Sequence, residues 1–186
     1  MTRRLVSIGE VMIEMSPRGG DAESWSMGVA GDTLNTAWYA RALLGGDWTV
    51  SYFTALGADH YSGMIRDFLA ASGIDAGSVR TIPERRPGLY IIHQQDGDRH
   101  FTYWRDTSAA KLLADDLPAL EQAFSGAGVV YFSGITLAIL SPDRRADLLR
   151  AVAAARAAGA TVAFDPNIRP ALWRDGDELR QALTAA

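Results

Sequence analysis

The sequence has no cysteine among its 186 residues, so disulfides, thiol nucleophiles and cysteine-based zinc sites are excluded. Histidine is scarce, and His60, His93 and His100 lack the spacing of metal ligands, so we predict no metal site. No run approaches the roughly 18 apolar residues of a membrane span. Arg3 and Arg4 precede a short strand-like run instead of the apolar core of a signal peptide. We therefore expect a cytoplasmic protein with no membrane partner.

Several nucleotide-binding and catalytic motifs are also missing. The chain contains no phosphate-binding Gly-x-x-x-x-Gly-Lys-Ser/Thr loop, no Gly-x-Gly-x-x-Gly fingerprint and no Gly-x-Ser-x-Gly nucleophile elbow. The glycine-rich run at residues 125–128 precedes a strand-like segment, so we interpret it as a plain turn. The net charge is −4 with acidic and basic residues interleaved, which argues against nucleic acid as a partner.

Strand-like and helix-like segments alternate along most of the chain, which predicts an α/β fold with a parallel sheet. The predicted strands are residues 5–9, 11–15, 49–56, 129–132 and 161–164, and residues 16–31 are predicted to be a glycine-rich loop around Trp25. The predicted helices are residues 33–44, 60–72 and 143–158, with a further helix from 177 onward.

Residues 88–105 interrupt this alternation. Two strand-like runs, 89–94 and 100–105, flank Asp96-Gly97, which is a strong hairpin signal. A hairpin inserted into such a series is often an antiparallel flap beside the main sheet. This one carries polar residues suited to a ligand, namely Tyr90, Tyr103 and Arg105. The alternative is an amphipathic hairpin whose aromatic side chains are merely exposed.

The most informative stretch is residues 30–41, where a glycine turn leads into a helix. Asp32 is predicted to cap the helix and Asn35 to lie on its first turn, so both side chains can reach a ligand. A carboxylate there repels phosphate and favours hydroxyl groups that donate hydrogen bonds. An ordinary capped helix is the alternative. The opposite helix face is predicted to be buried through Leu34, Ala37, Trp38 and Ala42.

Residues 165–170 follow the last predicted strand, at the end of the sheet where open α/β folds bind ligands. The prolines of this segment disfavour helix and stiffen the loop, which holds out Asn167 and Arg169. Arg105 and Arg169 can each offer a planar pair of donors to a carboxylate. The alternative for each arginine is a surface salt bridge.

Seven segments of the chain form a recognisable set, in the order 9–15, 31–36, 54–57, 87–90, 101–105, 132–142 and 164–173. Taken together, they resemble the pfkB (ribokinase-like) sugar kinases and, within them, the branch of 2-keto-3-deoxygluconate kinases. The likeness spans nearly the whole chain. The helix start at Gly31 and Asp32 is shared broadly in that family, whereas the Tyr103-to-Arg105 strand and the 167–170 loop are more specific to the branch.

The resemblance implies a Rossmann-like (ribokinase-like) α/β domain with a mainly parallel sheet flanked by helices. A small β lid would comprise segments of about 11–30 and 88–105, and the chain would be the N-terminal part of the domain. By matching position, the substrate-binding residues would be Gly31, Asp32, Asn35, Tyr90, Tyr103, Arg105 and Arg169. Asn167 and Arg169 would meet the nucleotide, and Glu14 falls near a position where other members have a sugar-contacting acid.

The implied activity is the phosphorylation of 2-keto-3-deoxygluconate to its 6-phosphate with ATP and Mg²⁺. Because the two arginines suit a carboxylate, an acid sugar is favoured over a neutral one. The family's Gly-Ala-Gly-Asp element, which supplies its base and anion hole, has no match here, so we predict no catalytic residue in this chain and little activity alone. The resemblance also suggests a homodimer formed through the lid.

Two other functions stay open on the sequence. A pfkB kinase for another sugar would prefer a neutral substrate, and substitution of Arg105 would not affect it. A non-catalytic module would bind an acid sugar without binding a nucleotide. The sequence does not distinguish the gluconate-derived from the galactonate-derived epimer.

Overall fold

The computed structural model describes residues 3–18, 21–95 and 98–186. The strands are β1 (Arg3–Ile8), β2 (Met12–Arg18), β3 (Asp21–Ala30), β4 (Trp48–Phe53), β5 (Ala55–Leu56), β6 (Arg80–Thr81), β7 (Gly88–Gln95), β8 (Asp98–Trp104), β9 (Val129–Ser133) and β10 (Thr161–Asp165). The helices are α1 (Asp32–Leu43), α2 (His60–Ala71), α3 (Leu117–Phe124), α4 (Gly134–Ala138), α5 (Pro142–Ala157) and α6 (Gly176–Ala185).

The central sheet is fully parallel and has the strand order β10-β9-β1-β4. Of its inner strands, β9 is apolar up to Ser133, whereas β1 starts with Arg3 and Arg4 and is buried from Val6 to Ile8, as expected where a strand is covered on both faces. One face packs on α1 and α2 through residues such as Tyr52, Leu34 and Leu69, and the other packs on α3 and α5 through residues such as Leu120 and Leu148. The predicted α/β class, with a mainly parallel sheet between helices, is confirmed.

A second sheet lies apart from the first and has the order β3-β2-β7-β8, with antiparallel pairs at both sides of a parallel β2–β7 pair. Both predicted hairpin runs are strands, while Asp96-Gly97 lies outside the described residues. The expected loop over residues 16–31 is wrong, because most of it forms β3. Residues 25–30 pair with 12–17 of β2, and this ladder satisfies the backbone of a segment whose glycines had suggested a loop.

Helix α1 buries a narrower face than its sequence suggests. Leu34 and Ala37 are buried as predicted, but Trp38 is 43% exposed and Ala42 is exposed as well. Trp38 instead packs edge-to-face with Tyr39 on the outer side of the helix. In the part of the chain that the structure describes, no helix has the length and apolar character needed to cross a membrane.

Helix α2 offers a prediction about stability, because Asp59 caps it. The Asp59 carboxylate accepts hydrogen bonds from the amides of Tyr61 and Ser62 and from the Ser62 hydroxyl, at 3.0, 3.3 and 2.6 Å. Burial opposes ionisation, but the bonds from Ser62 and the amides outweigh it and lower the pKa of Asp59. We expect Asp59→Ala to lower the free energy of unfolding by about 1 kcal/mol near neutral pH.

The stability deficit of Asp59→Ala should depend on pH, with a sign that follows from the lowered pKa of Asp59. A carboxyl whose pKa is lower in the folded chain stabilises above its unfolded pKa of about 3.9, and this contribution is lost as the pH falls through the lower, folded value. Urea unfolding at about pH 6 and about pH 3 should therefore show the Asp59→Ala deficit shrinking in acid. Asp59→Asn, which retains a capping side chain, is the control and should lose less. A deficit independent of pH would contradict this interpretation.

Candidate functional site

A cavity of about 570 Å³ lies between the carboxyl ends of the central strands and the inner face of the second sheet. Every residue that the sequence assigned to substrate or nucleotide lines it. These residues come from four separate segments of the chain: Gly31, Asp32 and Asn35 at the start of α1, Tyr90 on β7, Tyr103 and Arg105 on and after β8, and Asn167 and Arg169 after β10. The fold thus brings the predicted site residues together.

The start of α1 differs in one respect from the prediction. Gly31 is the N-cap residue, Asp32 is the first residue of the helix, and no side chain caps this end, so the predicted capping role of Asp32 is wrong. The carboxylate turns instead to two donors from other segments. Its Oδ2 accepts hydrogen bonds from the Ser133 hydroxyl at 2.5 Å and from the Asn167 amide at 2.9 Å. Oδ1 accepts no hydrogen bond from the described residues, so it is available to a ligand.

Asn167 reaches Asp32 through an unusual backbone conformation. Its φ is 31°, in the left-handed region that is costly for residues with a Cβ but most accessible to Asn. The side chain of Asp165, two residues earlier, accepts a hydrogen bond from the backbone N–H of Asn167 at 3.0 Å, which supports the turn. Close packing of Gly134 against the Pro166 carbonyl fixes the same loop. The loop therefore holds the Asn167 side chain at the start of α1.

Sequence reasoning missed Glu10, which is the most buried charged residue of the site at 2% exposure. It follows β1, and its carboxylate forms an ion pair with Arg105 and accepts a hydrogen bond from the Ser108 hydroxyl at 2.6 Å. Burial raises the pKa of Glu10, and the Arg105 charge and the Ser108 bond only partly oppose that rise. The signal that could have identified Glu10 is its place directly after a buried strand, at the sheet edge where ligands bind.

Aromatic side chains of the hairpin form the wall of the cavity that faces the central sheet. The rings of Tyr90, Phe101 and Tyr103 lie with centroids 5.7 to 6.2 Å apart. The Tyr90 hydroxyl donates a hydrogen bond to Glu14, and burial together with that carboxylate raises the pKa of Tyr90. Glu14 itself is not part of the cavity lining, so the structure does not bring it to the predicted sugar-contacting position.

The remaining lining residues that the sequence did not reveal are Met12, Arg99, His100, Phe101 and Ile135. Among them Arg99 is a third arginine, in addition to Arg105 and Arg169, in a lining that also contains Asp32. Arg169 and Arg105 also line a neighbouring cavity of about 290 Å³. The lining combines hydrogen-bond acceptors, cationic donors and aromatic surface. It suits a small anionic ligand that also carries hydroxyl groups.

Solved structures share this fold. The chain superposes on the crystal structure of a PfkB family carbohydrate kinase from Listeria grayi with a TM-score of 0.87, at 21% identity, covering 98% of this chain and 57% of that one. It superposes on an ATP-bound fructokinase from Xylella fastidiosa with a TM-score of 0.83, at 23% identity, covering 100% of this chain and 56% of that one. The fold is that of ribokinase-like sugar kinases.

The sequence comparison gives the family. A profile described as "pfkB family carbohydrate kinase" matches residues 2–186, and the chain belongs to this family. It is 40% identical over 185 residues to the 2-dehydro-3-deoxygluconokinase of Escherichia coli K12, covering 97% of this chain and 59% of that protein. Fructokinase-1 of Zea mays is 33% identical over 186 residues, covering 96% of this chain and 55% of that protein. The chain thus spans less than two thirds of the length of these relatives.

Proposed function

We propose that the cavity binds an acid sugar, and that the chain supplies the sugar-binding part of an ATP-dependent kinase that phosphorylates 2-keto-3-deoxygluconate (also named 2-dehydro-3-deoxygluconate) to its 6-phosphate. The observation that carries this proposal is that Asp32 and three arginines line one cavity. A carboxylate is the acceptor that sugar hydroxyls need, and guanidinium groups are the donors that a sugar carboxylate needs. A neutral sugar has no carboxylate that these guanidinium groups could bind.

The roles of the individual residues follow from their places. The free Oδ1 of Asp32 and the exposed side chain of Asn35 would bind hydroxyl groups at the start of α1. Arg105 would bind the carboxylate of the sugar. Tyr90 and Tyr103 would pack on the carbon chain from the hairpin. Gly31 would let the ligand approach the backbone at the helix start, where peptide N–H groups are unpaired.

ATP is the phosphoryl donor that the family implies. Arg169 fits a phosphate group, since it is exposed and its described hydrogen bond, to the Ile168 carbonyl, leaves other donors for a ligand. Asn167 fits less well as a nucleotide contact because its amide donates to Asp32. Mg²⁺, which the family also implies, would be held through the phosphate groups of the nucleotide.

We also propose a lid formed by the segments 11–30 and 88–105, which build the second sheet, and a homodimer through it. Large apolar side chains of this sheet that do not line the cavity are substantially exposed, as expected for a surface that a second copy covers: Trp25, Met27 and Trp104. The location of the protein in the cell stays a prediction of the sequence.

A kinase for a neutral sugar is the second candidate, because the relative from Zea mays is named a fructokinase. The higher identity to 2-dehydro-3-deoxygluconokinases and the guanidinium groups of the cavity favour the acid sugar. A non-catalytic acid-sugar-binding module would share the cavity but would not bind a nucleotide.

The test is a calorimetric titration of the chain with 2-keto-3-deoxygluconate, followed by Mg-ATP. We expect binding of the acid sugar, with an affinity that falls about 30-fold in Arg105→Ala through loss of a charge-assisted hydrogen bond. Arg150→Ala is the matched control, since Arg150 is 62% exposed on α5 and pairs with Asp147 outside the cavity. It should bind as the parent chain does.

The other outcomes separate the candidates. Tighter binding of fructose, unaffected by Arg105→Ala, would support a neutral-sugar kinase. Binding of the acid without any ATP binding would support either the module or a sugar half-site. Binding of no sugar by a folded chain would overturn the proposed function. That the chain by itself turns over no substrate stays a prediction, which an assay of ATP consumption checks.

A further inference from the structure

Glu10 is a buried carboxylate to which the proposed function gives no role. It lies between β1 of the central sheet and β2 of the second sheet, and it lines the cavity although it is only 2% exposed. A buried carboxylate is costly unless it is paired and hydrogen-bonded. The residues that pair with Glu10 therefore indicate its role.

Both carboxylate oxygens of Glu10 are held by the segment that follows β8. Oε2 accepts from Nη2 of Arg105, and Oε1 accepts from the hydroxyl of Ser108 at 2.6 Å. Ser108 is itself 2% exposed. The neighbouring Gly88 leaves room for this arrangement, because a Cβ there would lie 2.9 Å from Oε1. With a different donor on each oxygen, the carboxylate has one orientation.

Arg105 is correspondingly fixed. Its side chain is 11% exposed, and its guanidinium carbon lies 5.7 Å from the centre of the Tyr103 ring. A guanidinium has five N–H donors, and the bond to Glu10 uses Nη2. In the described part of the chain Nη1 and Nε donate no hydrogen bond, which leaves both for a ligand in the cavity.

We infer that Glu10 is a positioning residue, which fixes the plane of the Arg105 guanidinium at the cavity wall and thereby selects acid sugars over neutral ones. The ligand class rests on the proposed function, whereas the fixing of Arg105 does not. Without a ligand, Glu10 compensates a guanidinium charge that would otherwise be buried unpaired. With a ligand, the preset plane lowers the conformational entropy that binding has to overcome.

The test compares two ligands that differ only at one carbon. 2-Keto-3-deoxygluconate carries a carboxylate, whereas 3-deoxyfructose carries a hydroxymethyl group in its place. In Glu10→Gln we expect the affinity for the acid to fall about tenfold, because Arg105 is no longer oriented for its charge-assisted hydrogen bond to the sugar carboxylate. Affinity for 3-deoxyfructose should change less than about threefold, since it makes no such bond. Glu178→Gln is the matched control, because Glu178 pairs with Arg145 outside the cavity and is 20% exposed.

The sign of the change distinguishes positioning from plain electrostatics. Removing a negative charge beside Arg105 would by itself attract an anion more strongly and raise the affinity for the acid. A fall for the acid alone supports the inference. A rise for the acid, an equal loss for both sugars, or no change would overturn it.

A second readout needs no ligand. The side-chain N–H signals of Arg105 in a ¹⁵N-arginine NMR spectrum, assigned with Arg105→Lys, should be dispersed and slow to exchange in the parent chain. In Glu10→Gln they should move toward the positions of exposed arginines. If Glu10→Gln does not fold, Ser108→Ala removes one donor to the carboxylate and should shift the same signals less.

The two proposals fail in different ways. A parent chain that binds neither sugar would overturn the proposed function and the selection of acid sugars, and the Arg105 signals would still decide whether Glu10 fixes the guanidinium. Signals that are unchanged in both variants would overturn the positioning role, even if the parent chain binds the acid sugar tightly.

Discussion

Replacing Gly31 with alanine is expected to lower the free energy of unfolding by roughly 3 kcal/mol, because the added methyl group has no space. A Cβ at this position would lie 2.5 Å from the carbonyl oxygen of Glu10 and 3.4 Å from the Cα of Val11. Both contacts are with backbone, so no side chain can rotate away. Relief requires the start of α1 to move away from the connection between the two sheets.

This movement would also disturb the cavity. Gly31 lines it beside Asp32, and the connection that would be displaced carries Glu10, the partner of Arg105. We therefore expect a loss of affinity for the acid sugar in addition to a fall of about 10 °C in the thermal midpoint. Thermal unfolding followed by circular dichroism measures the first property of the variant, and calorimetric titration measures the second.

The matched control is Gly63→Ala on α2. A Cβ there would meet nothing within 4 Å, so alanine should raise the free energy of unfolding by about 0.5 to 1 kcal/mol through its better helix propensity. If Gly31→Ala were as stable as the parent chain, the close approach of the helix start to Glu10 would not exist in solution.

The alternation of strands and helices made the central sheet predictable, because buried parallel strands are continuously apolar and end at the glycines and polar residues of the binding edge. The same alternation predicted Asp32 at the start of a helix, and Asn167 and Arg169 after the last strand, at the edge of the sheet where ligands bind. The hairpin signal placed Tyr103 and Arg105 on an added sheet. Local pattern and the resemblance to a family therefore located part of the lining of the cavity.

What the sequence did not reveal depends on partners that are distant along the chain. Glu10 is a single acidic residue in an apolar stretch, and its importance comes from Arg105 and Ser108, which lie 95 and 98 residues away. The carboxylate of Asp32 bonds to donors 101 and 135 residues away, which is why a local capping role was predicted wrongly. Strand β3 is stabilised by its pairing with β2, and this pairing outweighs the low strand propensity of a glycine-containing segment.

Asp32→Ala is expected to lower the affinity for 2-keto-3-deoxygluconate by on the order of a hundredfold, because a carboxylate hydrogen bond contributes about 1.5 to 3 kcal/mol. The loss of affinity should be larger in this variant than in the other cavity variants, for a structural reason. Oδ2 is anchored by Ser133 and Asn167, so Oδ1 is held toward the cavity without any cost of ordering on binding. Calorimetric titration of the variant measures the loss.

The substitution should also lower the free energy of unfolding. Removing the carboxylate leaves the Asn167 amide and the Ser133 hydroxyl without this acceptor, which costs about 1 to 3 kcal/mol if water does not replace it. Asp177→Ala is the matched control, because Asp177 is an acidic residue in the first turn of α6 and lies 75% exposed, outside the cavity. It separates the general effect of a negative charge at a helix N-terminus from the specific one at α1.

Asp32→Asn distinguishes charge from shape at the same position. Its amide oxygen can still accept one hydrogen bond, but its NH₂ group cannot accept from a sugar hydroxyl and adds a donor beside the Asn167 amide. We therefore expect an affinity between those of Asp32→Ala and the parent chain. If both variants bound the acid sugar as tightly as the parent, the hydroxyl groups of the ligand would not lie at the start of α1. The binding of the sugar would then have to be assigned to the arginines of the cavity alone.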